Sequence, residues 1–297
     1  MTATLDAPPR RTTQAPTARL TFLGVLNSEW IKLRSLRSTL WCYVIIVALT
    51  VLLGLLFAGV SQTPDATLSH DVQQSTWMSA ATLGINFSQL VVGVLGALVI
   101  TGEYGTGMIR STFAAVPRRL PAVIAKAIVF GVVTFVVSLV GLVAAAAATA
   151  PVLSGKGVNA DFGDPDVWLA LIGGAAYLTF IGLIALAIGL LLRNSAGGIA
   201  AALGLVLVVP VIFTLLAGLA QAQWAADIGS FLPSNAGGQL YAYPAEAVEQ
   251  TGPGSGPPVA AVTSAVDLTN WQALLVLAAW FAVVFVVGLV LVKRRDA

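Results

Sequence analysis

VIAKAIVFGVVTFVVSLVGLVAAAAATA, residues 123–150, decides the fold. Beyond Lys126 this stretch holds no charged residue. At about 1.5 Å per residue, a helix of this length exceeds the roughly 30 Å of hydrocarbon in a bilayer. The other form that crosses a membrane is a barrel strand, which needs about ten residues of alternating polarity. The five alanines at 144–148 do not alternate. Lipid offers no water to backbone N–H and C=O groups, so a run like this must satisfy them internally, as helix.

Five further runs have the same character, at residues 40–60, 80–101, 167–192, 197–219 and 271–292. With a mean hydropathy of +0.91 and only 9% charged residues, a soluble globular domain is excluded. The expected fold class is an all-α integral membrane protein of six transmembrane helices. Residues 1–17, rich in Thr, Pro and Ala, read as a disordered tail. Residues 18–38 read as an amphipathic connecting helix and 39–297 as the six-span domain. Residues 40–60 are too long for a signal-peptide core and read as an uncleaved first span.

Assigning the intervening segments alternately to two compartments places fourteen of the fifteen Lys and Arg residues on one side. The exception is Lys156, which lies near Asp161, Asp164 and Asp166 in sequence. Short cytoplasmic loops carry the Lys/Arg excess, so both termini are expected in the cytoplasm. Arg outnumbers Lys eleven to four and Ala, Gly and Val abound, which suggests a GC-rich bacterium and hence a bacterial plasma membrane.

Two segments on the basic side stand out. In the helix before span one, Leu23, Leu26, Trp30, Leu33 and Leu36 recur at steps of three and four, while Glu29, Lys32 and Arg34 lie off that stripe. This predicts an interfacial helix with a basic face and a Trp at headgroup level. After span two, Gly102, Gly105 and Gly107 allow a tight change of direction. Residues 106–115 are then expected to form a short helix that Pro117 stops. A knob held against the membrane face by two spans can pass a push from a soluble partner into the bundle. Lys126, at the start of span three, is expected to snorkel to the interface.

The combination of Ser28-Glu29-Trp30-Ile31-Lys32-Leu33-Arg34-Ser35 with Glu103-Tyr104-x-x-Gly107-x-Ile109-Arg110, Pro117-Arg118-Arg119 and Lys126 resembles the ABC-2 type permeases. These are membrane subunits of ATP-binding-cassette exporters, and the likeness is to actinobacterial ones in particular. The resemblance implies a coupling loop at 102–119 that seats on a cytoplasmic ABC ATPase. It puts Glu103, Tyr104, Gly107, Met108, Ile109 and Arg110 at that interface, and Glu29, Trp30, Lys32 and Arg34 on the connecting helix. It also implies a second permease copy or paralogue, and ATP and Mg bound by the partner ATPase rather than by this chain. Relatives often carry short re-entrant helices between spans five and six, where residues 224–240 of the large outer loop 220–270 match loosely.

The residues themselves narrow the chemistry further. No phosphate-loop, H-E-x-x-H or G-x-S-x-G motif occurs, so the chain is not expected to be an enzyme. Apart from Lys126 near a span end, the apolar runs lack Asp, Glu, Lys, Arg and His. A carrier driven by ions or protons normally needs such a group near the midplane. A stand-alone secondary transporter or channel, or a non-transporting scaffold or sensor, remains the alternative. Asn86, Ser88 and Gln89, and Thr134 with Ser138, are expected either to hydrogen-bond between helices or to line a substrate path. Gly93 with Gly96, and Gly182 with Gly189, are expected to let helices approach closely. Pro210 predicts a kink in span five. His70 reads as a solvated loop residue, and the three aspartates lack the spacing of a calcium loop. The expected partners are the ATPase, a second permease and the lipid bilayer, with no nucleic acid and no cofactor held by this chain.

Overall fold

In a computed structural model of the chain, residues 21–61, 69–108, 119–244, 266 and 268–294 are described. The 123–150 run lies within one helix, α5 (Arg119–Ser154). Before it come α1 (Phe22–Ser35), α2 (Arg37–Val60), α3 (His70–Thr82) and α4 (Ile85–Gly105). After it come α6 (Pro165–Leu192), α7 (Ser195–Leu203), α8 (Val209–Leu219), α9 (Gln223–Ser230), α10 (Pro233–Tyr241) and α11 (Asn270–Arg294). Among the described residues there is no strand. Among the described residues six helical stretches are long and apolar enough to cross a membrane: α2, α3 with α4, α5, α6, α7 with α8, and α11. The chain is an all-helical, multi-pass membrane protein.

Helix α6 is the centre of the bundle, packed by α4, α5, α7, α10 and α11. Small residues set its distances. A Cβ on Gly96 of α4 would stand 2.2 Å from the Gly182 carbonyl oxygen, so these two backbones touch. Gly189 is similarly close to Ile100 and the Ala97 carbonyl. Gly93 is different: a Cβ there meets nothing within 4 Å, so the expected packing role falls to Gly96 alone. Asp164 caps α6 by accepting from the Asp166 N–H at 2.9 Å. At the other end Arg193 closes the helix in the left-handed region, with φ of 52°. Its guanidinium carbon lies 5.3 Å from the centre of the Tyr104 ring, an attraction that offsets the strained backbone.

Between the first two apolar runs, where His70 was expected in a loop, the chain is helical from His70 onward. One face of α3 carries the buried Trp77, Met78, Ala80 and Ala81, which gives the segment a reason to fold against α5 and α2. Trp77 donates to the Ala146 carbonyl at 3.0 Å and meets Phe162 edge-on, with ring centroids 4.6 Å apart. The alanine run in α5 is what admits an indole this close. Gly84, between α3 and α4, has the same function toward α2, since a Cβ there would stand 2.4 Å from the Thr50 Cα.

Lys156 does not pair with the neighbouring aspartates. Its ammonium donates to the carbonyls of Ala58, Gly59 and Ser61 at 2.8, 2.6 and 2.6 Å. The last carbonyls of a helix lack intrahelical donors and carry its negative dipole end, so a cation there stabilises α2.

Span five departs from α geometry at a π turn, Gly204–Val208, just before Pro210. Proline has no N–H for the carbonyl four residues back, which is that of Val206. Ser234 of α10 supplies the missing donor, at 2.8 Å. Because Val206 is near the middle of that span, α9 and α10 form a hairpin that re-enters the bundle. Its inner face is tight: a Cβ on Gly237 would overlap the Tyr177 ring, and one on Gly173 would overlap the Leu240 carbonyl. Tyr243, just after α10, donates to Asp164 at 2.5 Å and ties the hairpin to the start of α6.

Candidate functional site

Where α1 meets the adjoining ends of α4 and α5, four charged side chains converge. Lys126 of α5 donates to Glu29 Oε2 at 2.6 Å and to Glu103 Oε1 at 2.9 Å. Lys32 donates to Glu29 Oε1 at 2.7 Å and to Glu103 Oε1 at 3.2 Å. Each carboxylate therefore sees two ammonium groups and each ammonium two carboxylates, with a net charge of zero. Glu29, Glu103 and Lys126 are 3%, 8% and 6% exposed. A buried ion desolvated this far persists only with its partners in place, because removing one strands the others.

The snorkelling expected of Lys126 does not occur, since two carboxylates lie closer to its ammonium than bulk water does. Glu29, expected on the polar face of α1, is buried instead. Val25, Glu29 and Leu33 point inward, whereas Leu23 and Trp30 are 75% and 43% exposed. Val25 packs on Ala122 and Ala125 of α5, which brings Glu29 to Lys126 and leaves Leu23, Trp30 and Leu36 on the outside, where lipid would lie. A sequence signal did exist for this cluster. Glu29 and Glu103 are two of only four carboxylates on the Lys/Arg-rich side, and Lys126 is the one charge within an otherwise apolar run.

Lys32 is the least buried member. Burial works to lower its pKa, but hydrogen bonds and attraction from Glu29 and Glu103 outweigh that and hold the ammonium above the ordinary lysine value. Glu103 Oε2 is buried without a hydrogen-bond partner among the described residues. A cavity of about 330 Å³ opens beside the cluster, with apolar walls from α2, α4 and α5 and all four charged residues at its edge.

Glu103 ends the second span and Lys126 begins the third, so the cluster brackets the segment between them. Tyr104 lies under Arg193. Gly107 takes a positive φ of 72°, which turns the chain away from α4, and Met108 is exposed. Ile109, Arg110 and the short helix expected up to residue 115 lie outside the described residues. Trp30 and Arg34 are on α1 but face away from the charge cluster, exposed.

Three of the five polar residues singled out inside the spans, Ser88, Gln89 and Thr134, form interhelical hydrogen bonds. Ser88 meets Thr50 at 3.1 Å, and Thr134 meets Tyr43 at 2.9 Å. Gln89 accepts a hydrogen bond from the fully buried Tyr177 hydroxyl. Asn86 is exposed, and Ser138 is buried with its Oγ unpartnered among the described residues. Tyr43, Tyr177 and Ser234 were not foreseen as parts of these junctions. An aromatic in an apolar run gives no sign of where its hydroxyl will point.

On the opposite end of the bundle, His70 opens α3, with its ring nitrogens 3.5 Å from Asp71 and 3.7 Å from Asp161. Asp161 and Asp164 accept backbone N–H groups, and no metal-holding cluster occurs among the described residues. The Tyr243 hydroxyl holds the Asp164 carboxyl below the usual carboxylate range.

Residues 25–211 match the family model described as ABC-2 family transporter protein. No curated protein matches the chain.

Proposed function

The chain belongs to the ABC-2 transporter family, and from that premise we propose that it is the permease subunit of an ATP-driven exporter whose ATPase is a separate chain. The observation that carries the proposal is the buried cluster of Glu29, Lys32, Glu103 and Lys126. It fastens α1 to both ends of the segment between spans two and three, so a force on that segment reaches α1, α4 and α5 together. In the orientation favoured by the charge distribution this joint faces the cytoplasm, where an ATPase would seat on residues 102–119.

Two such permeases, identical or paralogous, would enclose the translocation path. The weak cover of the fifth and sixth spans within one chain supports this, since those helices leave most of their apolar surface outside. ATP-driven approach of the two ATPases would tilt the α1–α4–α5 unit and exchange inward- and outward-facing states. Walls this apolar suit a hydrophobic or amphipathic cargo.

Purification from cells expressing the neighbouring reading frames tests the assignment. A phosphate-loop ATPase is expected to co-purify, and Arg110→Ala is expected to lower the amount retained or the ATP hydrolysis it supports. The assignment fails if no ATPase is retained and export continues unchanged in the Arg110→Ala protein.

A further inference from the structure

The two faces of α1 differ in how their charges are matched. Lys32 points inward to the glutamates, but among the described residues neither Arg34 nor Arg37 has a carboxylate partner. Arg37 is also the first residue of α2, whose N-terminus has no side-chain cap. The unpaired N–H groups there add the positive end of a helix dipole to the two guanidinium groups. Arg34 and Trp30 stand at the mouth of a groove between α2 and α5, with a volume of about 970 Å³. Its walls are Leu40, Val44 and Val51 from one helix and Val133, Val136 and Val140 from the other. Of the two hydroxyl-bearing residues in the lining, Tyr43 bonds to Thr134 at 2.9 Å, and Thr39 lies at the end next to Arg34. From Leu40 onward the wall is apolar apart from that engaged hydroxyl.

The groove runs along α2 from Leu40 to Leu52, which at about 1.5 Å per residue is roughly 18 Å. That is close to the ~15 Å depth of one leaflet's hydrocarbon. A dry channel one leaflet deep, with Trp30 and Arg34 at its headgroup end and Arg37 one turn before Leu40 on α2, fits an amphiphile with an anionic head. We infer that this groove is a binding site for one anionic phospholipid of the leaflet on the α1 side. Its phosphate lies against Arg34, Arg37 and the N-terminal N–H groups of α2, and one acyl chain lies between α2 and α5. The lipid braces α1 from outside while the buried charges hold it from inside. The inference does not depend on the transport assignment.

Native mass spectrometry of the full-length protein tests it, using mixed micelles that contain equal amounts of phosphatidylglycerol and phosphatidylcholine with identical acyl chains. One phosphatidylglycerol per chain is expected to be retained in preference to phosphatidylcholine. Replacing both arginines (Arg34→Gln with Arg37→Gln) should lower that preference by about fivefold per arginine. Val136→Phe, at an exposed position, should lower retention of both lipids while leaving the charge unchanged. Equal retention of the two lipids by the wild type, or an undiminished preference in the arginine variant, overturns the inference. So does efficient crosslinking of Val136→Cys between two copies of the chain in a Cys42→Ser background, which would make the groove a protein interface.

Discussion

At the scale of single residues, four charges and one hydroxyl hold the junctions between helices. Lys126→Met leaves Glu29 and Glu103 buried with only the half-exposed Lys32 between them. It should cost about 3–5 kcal/mol of stability, read as a large fall in melting temperature in detergent. Lys32→Met should cost far less, because its ammonium keeps contact with water. The Lys32 contribution has a defined pH dependence. Its pKa is raised in the fold, so the contribution is fully present below the ordinary lysine value near 10.4 and is lost as pH rises through the higher folded value. Melting curves of wild type and Lys32→Met should therefore keep a constant offset from about pH 6 to pH 9 and converge only in stronger base. An offset that closes between pH 6 and pH 8 would contradict the assigned partners. Ser234→Ala strips the donor from the Val206 carbonyl that Pro210 cannot serve. It should cost about 1–3 kcal/mol, whereas Ser230→Ala, at a hydroxyl bonded within its own helix, should cost little.

The next scale is that of elements, where close approach decides what is tolerated. Gly96→Ala forces α4 off α6 and should destabilise by about 1–3 kcal/mol, while Gly93→Ala on the same helix should be near neutral. Thermal melts of the two variants check this, and equal effects would refute the packing of α4 on α6. These glycines also show what the sequence could and could not disclose. That glycines would mediate close packing follows from residue type; which of two, three positions apart, faces the neighbour depends on the rotation of α4. The same limit governs α1. Its apolar stripe was legible, but a carboxylate off that stripe looks the same whether it meets water or a buried lysine, so Glu29 was read as part of the polar face. Helix α3 was not legible ahead of the 80–101 run because it is held by the buried Trp77 and by glutamine bonds to residues 159 and 161, not by a long apolar run.

For the whole molecule, the six spans were legible because apolar length alone specifies a crossing helix in lipid. The mutual arrangement of the spans was not, since every lipid-compatible face has the same composition. The charge cluster was half legible: the residues stood out individually, but only the fold brings residues 29, 103 and 126 within hydrogen-bond distance. In the proposed cycle this cluster makes α1, α4 and α5 one body that carries the ATPase stroke into the membrane. Paired spin labels in a Cys42→Ser background test it most directly, in complex with the ATPase and with or without ATP and vanadate. One pair joins Ile31 on α1 to Ile128 on α5, and the other joins Ile31 to Val283 on α11, all at exposed positions. The account predicts that the first distance stays fixed through the cycle while the second shifts. A first distance that changes as much as the second would show that α1 and α5 move independently, and would contradict it.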